Sequence, residues 1–353
     1  MNIKDLQDYV REIVSDSDDT CECTAHLYLL LEEKGNGSKY GMYLSEFKDD
    51  GTDIYVRNLF CQFLRDRIIN DDALKSDNLK MIPCLSKSDE VSSYIYKYDY
   101  DQDDMPDKLV SFRDFDNEQD QIVGYAYTKL PKFDFKKHSF DQIKGMLIHI
   151  NNGKRACLLF KKYYQVNLIK KTKLVLGITG KGALKRFEGD FIKLDGKVEL
   201  IKINNEIFVL DVKTLEGQLG LDSLIKKDAA NGLDYIKKLN IVKNFDALKE
   251  HGMANLSLAK KLAKISRVSP VVTKNISKDT IINFAKGNDI IKDRFKFEEG
   301  QIKLTRKSMS SFLSLMNDSF LNSGLTNELY EAHAKDRLGT AKPLKQGKIK
   351  AHK

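Results

Sequence analysis

The chain has 353 residues, of which 41% are apolar and 31% charged, so it is long enough for about two domains with a sizeable core. The net charge of +8 is unevenly spread, because residues 1–150 hold 19 Lys and Arg against 30 Asp and Glu, and residues 151–353 hold 40 against 21. The five irregularly spaced cysteines argue against a disulfide framework, and no apolar run is long enough for a membrane-spanning helix. We therefore expect a folded cytoplasmic protein whose basic half binds a polyanion.

The acidic N-terminal region, residues 1–140, is predicted to be a small α+β unit. Apolar residues recur at helical spacing around Leu6–Ile13 and again over Val56–Ile68, so each segment predicts a helix with one buried face. Period-2 patterns and apolar runs bounded by turn residues are typical of strands. Such patterns predict strands at 26–31, 94–100, 122–128, 144–150 and 155–161.

The basic region, residues 141–334, begins with strands and continues with helices. Short strands are predicted within 165–178 and 191–211, where turn residues interrupt the apolar pattern. Helical periodicity predicts helices at 221–236, 244–251, 255–267, 278–286 and 306–317. The fold class is therefore α+β, with antiparallel strand-rich segments followed by helices. Residues 335–353 hold seven Lys and Arg and one Asp, which predicts a basic tail that is either solvated or in contact with nucleic acid.

The predicted helix at 255–267 carries the clearest basic surface. Its leucines and isoleucine at 258, 262 and 265 are expected to face the core, which places the cations on the opposite side. Cations that neutralise phosphates release condensed counterions, so such a stripe predicts salt-sensitive binding that is independent of base sequence. An ordinary solvated helix face has the same composition. The predicted DNA contacts on this helix are Lys260, Lys261, Lys264 and Arg267.

A glycine-rich turn at 177–182 is the second candidate phosphate site. We expect a strand before the turn and a helix after it, and backbone N–H groups at a helix N-terminus suit phosphate oxygens. The turn is not a P-loop, because Val175 and Gly182 stand where that motif needs Gly and then Ser or Thr. A plain tight turn fits the glycines as well. The predicted DNA contacts beside it are Lys171, Lys173, Lys181, Lys185 and Arg186.

An alternative function is a Mg²⁺-dependent DNA nuclease of the restriction type. Asp211 and Lys213 follow an apolar strand with the D-x-K spacing of such enzymes, and Asp195 lies upstream. Two carboxylates that hold Mg²⁺, with a lysine near the attacking water, form a hydrolytic site. The same triplet also arises where a strand ends in a polar turn. We therefore predict no catalytic residue, no metal and no cofactor, and treat the nuclease as the alternative.

Two segments of the basic half are distinctive: FIKLDGKVELIKINNEIF at 191–208, and FLSLMNDSFLNSGLTNELY at 312–330 followed by Lys335–Leu338. In the second segment a Leu-rich helix, Asn-Asp, Phe-Leu, Ser-x-Leu-Thr and a Tyr follow one another. Over about residues 140–340 the chain resembles the KwaB family, the soluble component of the bacterial Kiwa anti-phage system.

This resemblance implies a DNA-binding defence effector, and it brings no established catalytic motif to these residues. KwaB-like proteins are regarded as cytosolic partners of KwaA, a small membrane protein, and as impeding the replication and expression of phage DNA. The resemblance therefore implies phage DNA and a KwaA-like membrane protein as partners, with recruitment to the inner membrane through that protein. We also expect a homodimer or a larger homo-oligomer. A scaffold that uses its charges only for protein contacts is a further hypothesis.

Overall fold

The computed structural model describes the following residues: 1–14, 23–32, 40–47, 51–71, 74, 79–82, 95–98, 105–113, 130–134, 136–164, 168–169, 176–178, 184–186, 191–323, 325–326 and 328–332. The predicted strand at 122–128 and the predicted tail at 335–353 lie outside the described residues. No helix in the described ranges is both long and apolar enough to cross a membrane.

The strands of the described residues fall into one large sheet and four short hairpins or pairs. In chain order the strands are β1 (Thr24–Glu32), β2 (Tyr40–Ser45), β3 (Leu79–Ile82), β4 (Ile95–Tyr98), β5 (Ile143–Asn151), β6 (Ala156–Lys162), β7 (Leu168–Ile169), β8 (Leu176–Ile178), β9 (Leu184–Arg186), β10 (Phe191–Ile192), β11 (Leu200–Ile203), β12 (Glu206–Val209), β13 (Lys296–Glu298), β14 (Gln301–Lys303), β15 (Phe320–Asn322) and β16 (Leu329–Glu331). The large sheet has the order β2-β1-β5-β6-β11-β12-β4-β3. Its neighbouring strands are antiparallel except for β3 and β4, which are parallel.

Most of the helices lie in the C-terminal half of the described chain. They are α1 (Ile3–Val14), α2 (Thr52–Leu64), α3 (Asp107–Arg113), α4 (Val212–Gln218), α5 (Leu221–Leu239), α6 (Phe245–Ala254), α7 (Leu256–Val268), α8 (Pro270–Thr273), α9 (Lys278–Gly287), α10 (Asp289–Lys292) and α11 (Arg306–Met316). A π-helical turn at Arg65–Ile69 extends α2. The predicted α+β class is confirmed.

The large sheet lies between two layers of helices. Strand β1 shows why, because its apolar run is buried on both faces, as is expected of a central strand. Leu27, Leu29 and Leu31 pack into a core with α1 and α2. Tyr28 and Leu30 point to the other face and join a core with the C-terminal helices. The C-terminal helices therefore form one outer layer of the molecule. A ligand that binds to these helices is held on this side of the sheet.

The sheet takes strands from both sides of residue 140. Strand β1 pairs with β5 over most of its length, with Tyr28 opposite Leu147. Strand β4 pairs with β12, with Tyr96 opposite Val209. The boundary predicted between residues 140 and 141 therefore falls within the connections of one hydrogen-bonded sheet.

Candidate nucleic-acid interface

Helix α7 contains the basic stripe that the sequence predicts as a DNA contact. The helix starts at a side-chain cap, because Asn255 Oδ1 accepts hydrogen bonds from the backbone N–H of Ser257 at 2.9 Å and of Leu258 at 3.2 Å. It packs against α5, α6, α8 and α11. The contact with α5 is so close that a Cβ on Gly232 would lie 2.1 Å from the carbonyl oxygen of Leu262. Neighbouring helices therefore surround α7 on several sides.

Lys260 lies inside this helical layer. The residue is only 5% exposed, and its Nζ forms a salt bridge with the carboxylate of Glu216, whose side chain is 12% exposed. Glu216 belongs to α4, a helix that the periodicity of the sequence does not predict. The predicted exposure of Lys260 is therefore wrong, because α4 places a carboxylate against this side of α7.

Two further cations of the stripe join α7 to its neighbours. Lys261 Nζ donates to Ser314 Oγ at 2.9 Å and to Ser310 Oγ at 3.0 Å, both in α11. Arg267 donates from Nε and from a terminal nitrogen to the carboxylate of Asp228 in α5, at 2.5 and 3.2 Å. Bidentate pairs of this kind are strong and directional. These side chains therefore fix the position of α7, whether or not they also reach a phosphate.

Outer cations follow α7 in the chain. Residues 256–287, which span α7, α8 and α9, contain seven Lys and Arg and one acidic residue, Asp279. Lys274 is exposed and Lys278 is half-buried, and within the described residues neither side chain has a carboxylate partner. Neither lysine was predicted as a contact from the sequence, because both lie outside the amphipathic helix at 255–267. The signal that could have found them is the scarcity of acidic residues over the whole segment.

The glycine-rich turn differs from its prediction. Residues Leu184–Arg186 form strand β9, which pairs with β8 so that Gly177 lies opposite Lys185. The helix expected after the turn is therefore absent from these described residues, because a strand ladder pairs their backbone groups instead. The side chains of Lys185 and Arg186 and all of Lys171, Lys173 and Lys181 lie outside the described residues, so their DNA contacts stay predictions.

The carboxylates of the alternative nuclease site have structural partners. Asp195 accepts a hydrogen bond from the Nζ of buried Lys161 at 2.6 Å. Asp211 caps α4, because it accepts from the backbone N–H of Lys213 at 3.0 Å and from Thr214 Oγ1 at 2.8 Å. In the part of the chain that the structure describes, no three His, Cys, Asp or Glu residues are grouped so that they could hold a metal ion. The geometry therefore offers no support for a Mg²⁺ site at these residues.

Glu199 lies beside these carboxylates and has an unusual protonation equilibrium. Burial raises the pKa of its carboxyl to about 7, and the nearby charges of Asp211 and Asp195 act in the same direction. A hydrogen bond from the backbone N–H of Lys162, at 2.6 Å, and the charge of Lys161 oppose this shift in pKa. The carboxyl therefore changes its charge near neutral pH.

Comparison with known proteins gives two matches. A family model described as Kiwa protein KwaB-like matches residues 140–326, just over half of the chain. A curated protein named Kiwa protein KwaB, from Escherichia coli O55:H7 (strain RM12579 / EPEC), is 28% identical over 284 residues, which cover 79% of this chain and 84% of that protein. No solved structure matches the chain. The matched region begins just before β5 and ends after β15, so it includes the whole C-terminal helical layer.

Proposed function

The chain belongs to the KwaB family, a component of Kiwa anti-phage defence, and on this premise we propose that it binds phage DNA through the outer face of α7, α8 and α9. From this membership we also propose a KwaA-like membrane protein as its partner. We further propose that the protein works as a homo-oligomer in the cytoplasm and is recruited to the inner membrane through that partner. In this proposal the protein impedes the use of phage DNA by occupying it, without cutting it.

The charge of the α7–α9 segment is the observation that carries the proposal. Of the seven cations over residues 256–287, Lys260 and Arg267 are paired with carboxylates of other helices. The other five outnumber the single carboxylate of the segment, Asp279, and give this part of the helical layer a positive potential. The DNA backbone is the polyanion that matches such a surface, because each neutralised phosphate releases bound counterions. Contacts to phosphates position a protein on the duplex and carry no sequence information directly.

Six of the seven cations fall into three groups in this proposal. Lys264, Lys274 and Lys278 are its primary phosphate contacts, since they lie on the segment without being buried. Lys261 and Arg267 hold α7 against α11 and α5, and their remaining N–H groups are secondary contacts. Lys260 is excluded from the contact surface because of its burial.

A charge-reversal experiment tests this assignment. The variant Lys274→Glu/Lys278→Glu should lose affinity for a labelled DNA duplex, because it removes two phosphate contacts and adds two repulsive charges. The matched control is Lys4→Glu/Lys154→Glu, which makes the same change in charge at exposed residues of α1 and of the turn between β5 and β6. Fluorescence anisotropy at one salt concentration measures both. Equal losses in the two variants would place the contact surface elsewhere.

The same samples address the alternative nuclease. Incubation with linear plasmid DNA and Mg²⁺ or Mn²⁺ should leave the DNA at full length. If the wild type cuts the DNA and a folded Asp211→Ala variant does not, the protein acts by hydrolysing DNA and not by occupying it.

A further inference from the structure

A groove opens between α8, α9, the end of α11 and the start of β15. Its volume is about 250 Å³. Sites for small organic molecules usually span about 300 to 1,000 Å³, so this groove has room for a single flat ring system rather than for a large ligand. Most of its lining is apolar: Pro270, Val271, Ile276, Ile281, Phe284, Leu315 and Phe320.

One wall of the groove is an exposed aromatic ring. Phe284 is 46% exposed, although its neighbours Ile281, Ile282 and Ala285 on the same helix are buried. Phe320 on another wall is buried, and the guanidinium of Arg294 lies 5.3 Å from the centroid of its ring. The groove therefore combines a buried apolar wall with an aromatic ring that is partly exposed.

The rest of the lining is polar. Lys274, Thr280 and Asp318 contribute an ammonium group, a hydroxyl and a carboxylate. Lys274 belongs to the basic segment and has no carboxylate partner among the described residues. Asp318 follows the end of α11 in the left-handed conformation, with φ of 54°. The groove is therefore an apolar slot that also contains a cation and a hydrogen-bond acceptor. In this it differs from a purely apolar groove, which suits the apolar side chain of a peptide.

A nucleotide has the complementary chemistry. The two faces of a base are apolar and stack on aromatic rings, which stabilises binding of single strands without a strict sequence preference. The edge of a base carries amino groups that a carboxylate can accept from, and its phosphate pairs with a lysine. The groove lies on α8 and α9, within the segment where five cations besides the paired Lys260 and Arg267 outnumber one carboxylate, and this supplies the charge complementarity.

We propose that this groove binds one unstacked base of the DNA, with the ring of Phe284 against the base, Lys274 on its phosphate and the Asp318 carboxylate accepting from an amino group at its edge. This inference rests on the proposed DNA binding and adds the form of DNA that is preferred. The protein binds DNA with an unpaired base or a single-stranded end more tightly than a fully paired blunt duplex.

The experiment compares two DNAs that differ in one feature. One is a blunt duplex, and the other is the same duplex with a single-stranded overhang that carries 2-aminopurine, whose fluorescence reports stacking. The full-length wild-type chain is compared with Phe284→Leu, which keeps an apolar side chain but removes the ring, and with Phe284→Tyr, which keeps the ring. Ile290→Ala, at a residue 61% exposed outside the groove, is the matched control.

The expected result is a preference for the overhang in the wild type, in Phe284→Tyr and in Ile290→Ala. Phe284→Leu should lose roughly 5- to 150-fold in affinity for the overhang, as removal of an aromatic stacking partner does elsewhere, and keep its affinity for the blunt duplex. The change in 2-aminopurine fluorescence on binding should also disappear in Phe284→Leu.

The outcomes separate this inference from the proposed function. Absence of binding to either DNA overturns both. Binding of the blunt duplex without a preference for the overhang, or a preference that persists in Phe284→Leu, overturns only the inference. In that case the groove is left to another ligand, such as an apolar side chain of a partner protein.

Discussion

Lys260 and Lys274 have the same side chain but opposite surroundings. Lys260 is enclosed and paired with Glu216, whereas Lys274 is exposed at the groove. A buried ion pair is hard to predict from sequence, because a lysine at a helical position gives the same sequence pattern whether its side chain faces water or a carboxylate. The presence of a basic helix at 255–267 was therefore predictable from the sequence. Which of its cations stay exposed to solvent was not.

Replacement of Lys260 by Met should be strongly destabilising. Removal of one partner from a buried pair leaves an uncompensated charge and lowers the free energy of unfolding by about 3 to 5 kcal/mol. The double variant Lys260→Met/Glu216→Leu should recover much of this loss, since two apolar side chains replace the pair. Urea unfolding monitored by circular dichroism measures both. A single variant within about 1 kcal/mol of wild type would contradict the enclosed salt bridge.

Glu199 predicts a pH dependence of stability. Its pKa is raised to about 7 in the folded protein, from a usual value of 4.5. The folded state therefore binds more protons than the unfolded state between these values, so the stabilising contribution is complete below pH 4.5 and is lost as the pH rises through 7. A shift of this size corresponds to up to about 3 kcal/mol.

The variant Glu199→Gln isolates this contribution. The free energy of unfolding of the wild type should fall relative to that of Glu199→Gln between about pH 5 and pH 8, because the amide does not ionise. Urea unfolding at several pH values gives both curves. Parallel curves would mean that Glu199 keeps an ordinary pKa in the folded protein.

At the scale of elements, long helical periods and a continuous apolar run were predictable. The helical periods predict α1, α5, α6, α7, α9 and α11 close to their observed bounds, and the run at 26–31 predicts β1. The strand β9 was not predicted, because its three residues are too few to show a period and their ladder with β8 depends on the intervening turn. Helix α4 was missed because its seven residues make fewer than two turns, too few to show a helical period, although Asp211 at its start is a typical cap residue.

The close contact between α5 and α7 makes a prediction about Gly232. A methyl group there would lie 2.1 Å from the carbonyl oxygen of Leu262, so Gly232→Ala must push two packed helices apart. The expected loss is about 1 to 3 kcal/mol or more. Gly217→Ala is the control, because no atom lies within 4 Å of its added methyl and alanine favours a helix. Thermal unfolding compares them, and equal melting temperatures would contradict the packing.

At the scale of the whole molecule, the acidic half and the basic half share one sheet. Strands β1 to β4 come from the acidic region, and they flank β5, β6, β11 and β12 from the basic region. The division of charge along the chain therefore does not correspond to a division of the sheet. The sequence could not show this, because the partners of a strand are set by long-range contacts that leave no local pattern.

Truncation tests whether the basic half folds by itself. A chain of residues 141–353 would lose β1 beside β5, β4 beside β12, and the helices α1 and α2 that cover one face of the sheet. We expect it to lack a cooperative unfolding transition. A chain of residues 1–332 is the control and should unfold cooperatively, since it keeps all of the described residues. A cooperative transition in 141–353 would show that the predicted boundary at residue 140 separates independent domains.

The salt dependence of DNA affinity tests the central claim most directly. The logarithm of the association constant should fall linearly with the logarithm of salt concentration from about 50 to 200 mM, with a slope of about 0.9 for each neutralised phosphate. The slope should become shallower by about 2 in Lys274→Glu/Lys278→Glu and stay unchanged in Lys4→Glu/Lys154→Glu. A flat dependence for the wild type, or one slope for all three proteins, would contradict DNA binding by the α7–α9 surface.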